Sequence, residues 1–223
     1  MAHFAFKVCG CEDWLNENKQ STISEAYIET AKVILDLIDV ADEHDLHYLT
    51  IDLFRVDEIA KFDKIEQMKI YNIFISFFED VIYEFAESRK YAVRFIGDFL
   101  QLPSELLEII SKLNSKTLNN KGMMIIFALN YSSANEITVA VNSLIKTKFM
   151  VSDVSPVKIE EIESYLSMPN IPSPDLLVYT KKEQSLDDFL PYQSKKSSVM
   201  FYDKPFPSLN REDFYKIIGK ILK

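Results

Sequence analysis

Glycine is scarce. Gly10, Gly97, Gly122 and Gly219 are the only four in 223 residues, each isolated, so no glycine-rich loop is available to cradle a phosphate through backbone N–H groups. Cysteine is nearly absent: Cys9 and Cys11 lie too close together for a disulfide framework, and a reducing, cytoplasmic setting is expected. The three histidines, His3, His44 and His47, stand at no ligand spacing from those thiols, which argues against a soft-metal site or a Cys/His pair. Basic charge is in deficit, with 25 Lys and Arg against 34 Asp and Glu and a net charge of −9, so no nucleic-acid partner is expected. Charges interrupt every apolar run before the ~20 residues of a spanning helix, and there is no signal-peptide pattern, so no transmembrane segment is expected. The only proline-rich turn, MPNIPSPD (168–175), is too short for a linker, and one domain spanning 1–223 is expected.

What is present reads as alternating strands and helices. HFAFKV (3–8) is an apolar strand that stops at Cys9-Gly10-Cys11. Thr22-Ile23-Ser24-Glu25 has the form of a capping box, and apolar residues recur behind it at helical spacing to about His44. Further strands are read at 47–54, 91–97, 123–130, 175–180 and 198–203. Helices are read from 62 to 88, from Pro103 to Leu118 with NNKG closing it, from a Ser133/Glu136 cap, from Ser155-Pro156 to Leu166, and from Asn210 to Leu222. Six such strands predict an α/β fold with a mostly parallel sheet covered by helices on both faces.

The residues alone give little chemistry. Cys9 and Cys11 read as half-buried structural cysteines, His44 and His47 as capping or surface groups, and ADEHD (41–45) and Glu160-Glu161 as solvated helix faces. The aromatic stripe of KIEQMKIYNIFISFFEDVIYEF (64–85) fits a core-facing helix. A tunnel wall or a subunit contact stays open beside that reading.

Three later segments carry a resemblance: RFIGDFLQLP (94–103), FALNYSSANEI (127–137) and PDLLVYTKKEQSLDDFLPYQ (174–193). With His3, the apolar run to Val8, Gly10 and Trp14, in one order and at one spacing, they resemble the cis-prenyltransferases, the undecaprenyl diphosphate synthase family. The resemblance spans nearly the whole chain. It implies a six-stranded, mostly parallel sheet flanked by helices, a dimer, and a reaction that elongates an allylic diphosphate with isopentenyl diphosphate in the presence of Mg²⁺.

The family's charged positions are the ones that differ. Its metal-binding Asp is Cys9, the Asn beyond is Cys11, and the Arg before Trp14 is Asp13. Its Ser-Thr-Glu-Asn-Trp loop is Arg55-Val56-Asp57-Glu58-Ile59, and its Arg-Thr-Ser-Gly-Glu-x-Arg is Tyr179-Thr180-Lys181-Lys182-Glu183-Gln184-Ser185. The downstream metal-binding Glu is Ser198. No catalytic residue is therefore expected. Gly10, Lys61, Arg94, Lys181 and Lys182 are the candidates for residual diphosphate binding.

The expected function is a catalytically degenerate homologue, a non-catalytic subunit of the Nogo-B receptor type supporting an active isoprenyl diphosphate synthase in a heteromer, with no cofactor. A homodimer is the other assembly considered, and membrane association would be peripheral, through a partner. Two alternatives stand. One is a divergent transferase with a rebuilt site using Asp57 and Glu58 as acid/base or as Mg²⁺ ligands; the other binds an isoprenoid or lipid without turnover.

Overall fold

The structure, a computed structural model, describes residues 1–181 and 183–220. Its strands are β1 (His3–Lys7), β2 (Tyr48–Phe54), β3 (Ala92–Gly97), β4 (Met124–Leu129), β5 (Leu176–Tyr179) and β6 (Ser198–Phe201). They form one six-stranded sheet in the order β3-β4-β2-β1-β5-β6, and all five pairings are parallel, so the sheet carries no antiparallel edge. The central strands are apolar on both sides because helices and loops cover both faces.

The larger core gathers Phe4, Phe6, Leu49, Ile51 and Leu53 with α2 (Ile23–Glu43), α4 (Lys64–Ser76), α6 (Ser104–Lys116) and α9 (Arg211–Ile218). The smaller one joins Ala5, Ile126, Ala128, Leu177 and Tyr179 to Tyr131, Phe189 and Leu190. Side chains alternate along β1, so Lys7 falls on the Ala5 side.

The expected capping box opens α2. Thr22 Oγ1 accepts from Glu25 N (3.3 Å) while Thr22 N donates to Glu25 Oε2 (2.7 Å). Thr22→Ala is expected to cost about 1 kcal/mol, measured by urea unfolding as a lower midpoint with an unchanged m-value.

Several expectations are corrected. The helix read from 62 to 88 is α4, then a π-helical segment (Phe77–Ile82), then α5 (Tyr83–Arg89). Apolar periodicity does not register such an i→i+5 insertion. Two short helices, α1 (Cys11–Glu17) and α3 (Val56–Ile59), follow β1 and β2 where no helix was read.

Gly122 does not cap α6, which ends at Lys116. A Cβ there would lie 2.7 Å from the Lys90 carbonyl oxygen, so glycine is needed for close approach rather than for a left-handed turn. The cap of α7 (Ser133–Met150) is Ser132, and Glu136 instead accepts from Tyr131 Oη, Ser167 N and Gln193 Nε2. Finally, α8 (Ile159–Tyr165) begins after Lys158 rather than at Ser155. No helix among the described residues is long and apolar enough to cross a membrane.

Candidate functional site

In a parallel sheet, loops that follow the carboxyl ends of the strands build the working surface. Here they come from β1, β2 and β5. The end of β1 is pinned twice: Cys9 N donates to Thr180 Oγ1 (3.2 Å), and Phe206 N donates to Cys9 O (2.9 Å). Gly10 follows with φ +84°, and a Cβ there would meet Pro205 at 3.0 Å, so the turn into α1 requires glycine.

The cleft formed there has a volume of about 440 Å³. Cys9, Gly10, Cys11, Glu58, Lys61 and Lys181 line it, together with Lys7, Glu12, Asp13, Glu183 and Asp187. Of the residues singled out in the sequence, Gly10, Glu58, Lys61 and Lys181 lie around this one cleft. Lys182 lies outside the described residues.

Two candidates are not in that cleft. Arg94 donates to Val93 O (2.6 Å) and Leu118 O (3.3 Å), and lines a cleft of about 520 Å³ with His47, Tyr48 and Lys121. That cleft is larger, but it lies at the amino ends of β2, β3 and β4, remote from Gly10, so Arg94 is no ligand for a group held at β1. Asp57 is turned to Arg55 (3.0 Å), whose guanidinium holds its carboxyl below the usual carboxylate range.

Both thiols are disfavoured as thiolates. Burial pushes Cys9 from an ordinary 9.0 up to about 12, against the opposing pull of Lys7. Burial does the same to Cys11, also to about 12, although the Thr30 hydroxyl 3.8 Å away favours its thiolate. A thiol held in its neutral form is a weak nucleophile and a poor ligand for a hard metal ion.

The cations are compromised. Lys181 donates to Asp187 Oδ1 (2.9 Å) and Ser185 Oγ (3.1 Å), and Lys61 is mostly solvated with Glu12 4.0 Å away. Lys7, which sequence reasoning missed, donates to Asp52 Oδ2 at 2.7 Å with both residues buried. Burial is the largest single influence and works against the Lys7 ammonium, but the charge and hydrogen bond of Asp52 together with the other negative groups around it outweigh burial, and its pKa lies above the ordinary lysine range. Burial likewise raises Asp52, and Lys7 offsets this in part.

Mg²⁺, which the resemblance implies, wants hard carboxylate oxygens. Position 9 supplies a neutral thiol, and among the described residues no three His, Cys, Asp or Glu side chains are placed to hold a metal ion. The residues present do not fit it. The aromatic stripe is core: Phe74 and Phe78 are fully buried, and their rings meet Phe54, Phe77, Phe95 and Phe127 at 4.9–6.2 Å.

Comparison with known proteins agrees with this architecture. The chain is 28% identical over 222 residues to isoprenyl transferase 1 of Tropheryma whipplei, covering 97% of this chain and 83% of that one. It is 28% identical over 221 residues to a farnesyl-diphosphate-specific undecaprenyl diphosphate synthase of Micrococcus luteus, at 97% and 86% coverage. Among solved structures, lavandulyl diphosphate synthase from Lavandula x intermedia superposes with a TM-score of 0.89 at 24% identity, covering 99% of this chain and 94% of that one. A probable undecaprenyl diphosphate synthase from Campylobacter jejuni does so with a TM-score of 0.77 at 22% identity, with the same coverage. The prenyltransferase family profile, described as "Putative undecaprenyl diphosphate synthase", matches residues 10–221, and the chain belongs to that family.

Proposed function

We propose that this chain is a catalytically silent member of the family, and that it supports an active isoprenyl diphosphate synthase as its partner subunit. The observation that carries this reading is the lining of the cleft at β1. Five carboxylates (Glu12, Asp13, Glu58, Glu183, Asp187) face three lysines (Lys7, Lys61, Lys181), and two of those lysines are held by internal carboxylates. Joining two diphosphates needs uncommitted cationic donors, because two polyanions must approach each other and one must leave.

A second observation supports association. Along α7, Ile137, Val141, Ile145 and Phe149 recur every four residues, a helical stripe, and Phe149 is 85% exposed. Met150 closes the helix, and Val151 and the nearly fully exposed Val154 extend the apolar surface beyond its end. Lys148 braces this knuckle through Asp153 (2.6 Å), Glu161 (3.1 Å) and Ser155 (3.0 Å). Apolar surface of this extent suits a protein interface, and the occupant proposed is a second chain of the same fold.

The test is incorporation of labelled isopentenyl diphosphate onto farnesyl diphosphate with Mg²⁺. The assay uses the chain alone, and then with an active family member from the same source. The expected result is background alone and stimulation with the partner, abolished by Ile145→Asp with Phe149→Asp. Incorporation by the chain alone would overturn the reading and direct attention to Glu58 and the lysines.

A further inference from the structure

A surface helix ordinarily turns its charges to water and its apolar side to the body of the protein. α7 does the reverse. Its charged residues are Glu136, Lys146 and Lys148, and two of them point inward, Glu136 at 7% exposure and Lys148 at 8%. Lys146 is the one charge it leaves in water, in a chain of which 26% is charged. Its buried apolar residues are Ala140 and Leu144, while Ile145, Phe149 and Met150 lie outside.

The loop that follows, 151–158, is inverted in the same way. Val151, Val154 and Val157 are exposed, whereas the carboxylates of Asp153 and Glu161 turn back onto Lys148. Lys148 donates to Asp153 Oδ2 (2.6 Å) and Ser155 Oγ (3.0 Å), and its ammonium is ion-paired with Glu161 Oε1 at 3.1 Å. The backbone closes on the same residue: Asp153 N donates to Lys148 O (2.9 Å), with Ser152 in the left-handed region at φ +54°. One buried lysine thus ties together the end of α7, the loop and the first turn of α8. Each polar group that it gathers leaves the outer surface more apolar.

An apolar exterior held in place by interior charges suits the middle of an assembly better than the surface of a monomer. Ile137, Val141, Ile145 and Phe149 form one ridge at four-residue spacing. Two such ridges pack into each other's grooves, so this face is complementary to its own copy. A lipid surface fits less well, because the adjoining α8 exposes Glu160 and Glu163 and the chain carries a net charge of −9.

We propose that Lys148 is a positioning residue for assembly, holding loop 151–158 so that Phe149, Met150 and Val154 meet α7 of a second copy of this chain. The proposal rests on the reading above that α7 is the face that meets a chain of this fold, and adds that the contact fails when the loop is not braced.

Sedimentation velocity of the purified chain over a concentration series tests it, with thermal unfolding of each variant at the dilute, monomeric end. The chain is expected to dimerise. Val154→Ser, at a position 99% exposed, and Lys148→Met, which keeps the stem and removes the ammonium, should each weaken the dimer by about tenfold or more, since every loss counts in both copies. Met68→Ser, 66% exposed on α4, should leave it unchanged. Side chains of Asp153 and Glu161 already reach water, so the Lys148→Met monomer should keep its Tm, and Lys148→Arg should recover association.

A wild-type chain that stays monomeric throughout the series would overturn the proposal, as would a dimer that the Val154 and Lys148 variants leave intact. A Lys148→Met monomer with a lowered Tm and no rescue by arginine would make the lysine merely structural. Binding of the wild-type chain to phosphatidylserine vesicles in place of dimerisation would assign the face to lipid instead. None of these readouts measures prenyl transfer. A dimer that incorporates label overturns the silent reading alone, and a silent monomer overturns this proposal alone.

Discussion

Replacing Lys7 alone by leucine is expected to destabilise the chain by about 3–5 kcal/mol, while Lys7→Leu combined with Asp52→Leu should restore it to near the wild-type value or above. The asymmetry follows from burial. Both side chains are withdrawn from water and lie 2.7 Å apart, so each is the other's ion-pair partner. Removing Lys7 leaves a carboxylate stranded in the sheet, with one oxygen already unpaired. Removing both returns the position to an apolar strand like its neighbours.

The pH dependence distinguishes this account from a simple packing loss. Burial already raises Asp52, and losing Lys7 raises it further, so the folded variant binds this proton more tightly than the unfolded chain does. A raised carboxylate contributes most below its unfolded pKa of about 3.9 and loses that contribution as pH rises through the folded value. The stability of Lys7→Leu should therefore fall as pH rises above about 4 and go on falling after that of wild type, whose Asp52 is raised less, has levelled; the double variant, which lacks the carboxylate, should show no such fall. Urea unfolding at a series of pH values reads both. A single variant costing under about 1 kcal/mol at pH 8 would mean that water reaches Asp52 and the pair is not truly buried.

Most of the sheet was legible in the sequence because its central strands are buried on both faces and therefore read as short continuous apolar runs. β2 was expected at 47–54 and lies at Tyr48–Phe54; β5 was expected at 175–180 and lies at Leu176–Tyr179. The failures are local. α1 and α3 are too short to display a helical period, and the π segment at Phe77–Ile82 changes hydrogen-bond spacing without changing composition.

At the site, strand-end motifs placed Gly10, Glu58, Lys61 and Lys181 around one cleft. Arg94 failed because a residue in the middle of β3 can turn its long side chain back toward the amino end of the sheet, where carbonyl oxygens await it. The Lys7–Asp52 pair was missed although a signal existed: one residue of each sign, each embedded in an apolar strand (HFAFKV and YLTIDLF) close to its carboxyl end. Read singly, each is an imperfection in a strand. Only the parallel register of β1 on β2 sets one opposite the other.

The thiols at the end of β1 make the second large prediction. In the native chain at pH 8, alkylation of Cys9 and Cys11 by iodoacetamide should run roughly ten- to a hundredfold slower than in urea, since burial lifts both thiols from 9.0 to about 12 and only the thiolate reacts, while the greater nucleophilicity of a higher-pKa thiolate offsets part of the lost population. Peptide mass spectrometry resolves the two sites by time course. The native rate should rise about tenfold per pH unit up to the limit set by unfolding. Lys7 pulls the Cys9 value down, so Lys7→Leu should slow Cys9 further and leave Cys11 less affected, because Cys11 answers to Thr30 instead. Labelling of native Cys9 at the unfolded rate would reinstate it as a nucleophile or soft-metal ligand and undo the case for a silent site. Slow labelling leaves β1 ending in a neutral group where the family resemblance calls for a charged carboxylate. The cation beside it, Lys7, is spent on a carboxylate of its own. On the function proposed above, a strand end of that kind shapes the cleft and binds through hydrogen bonds, with no carboxylate at position 9 to offer Mg²⁺.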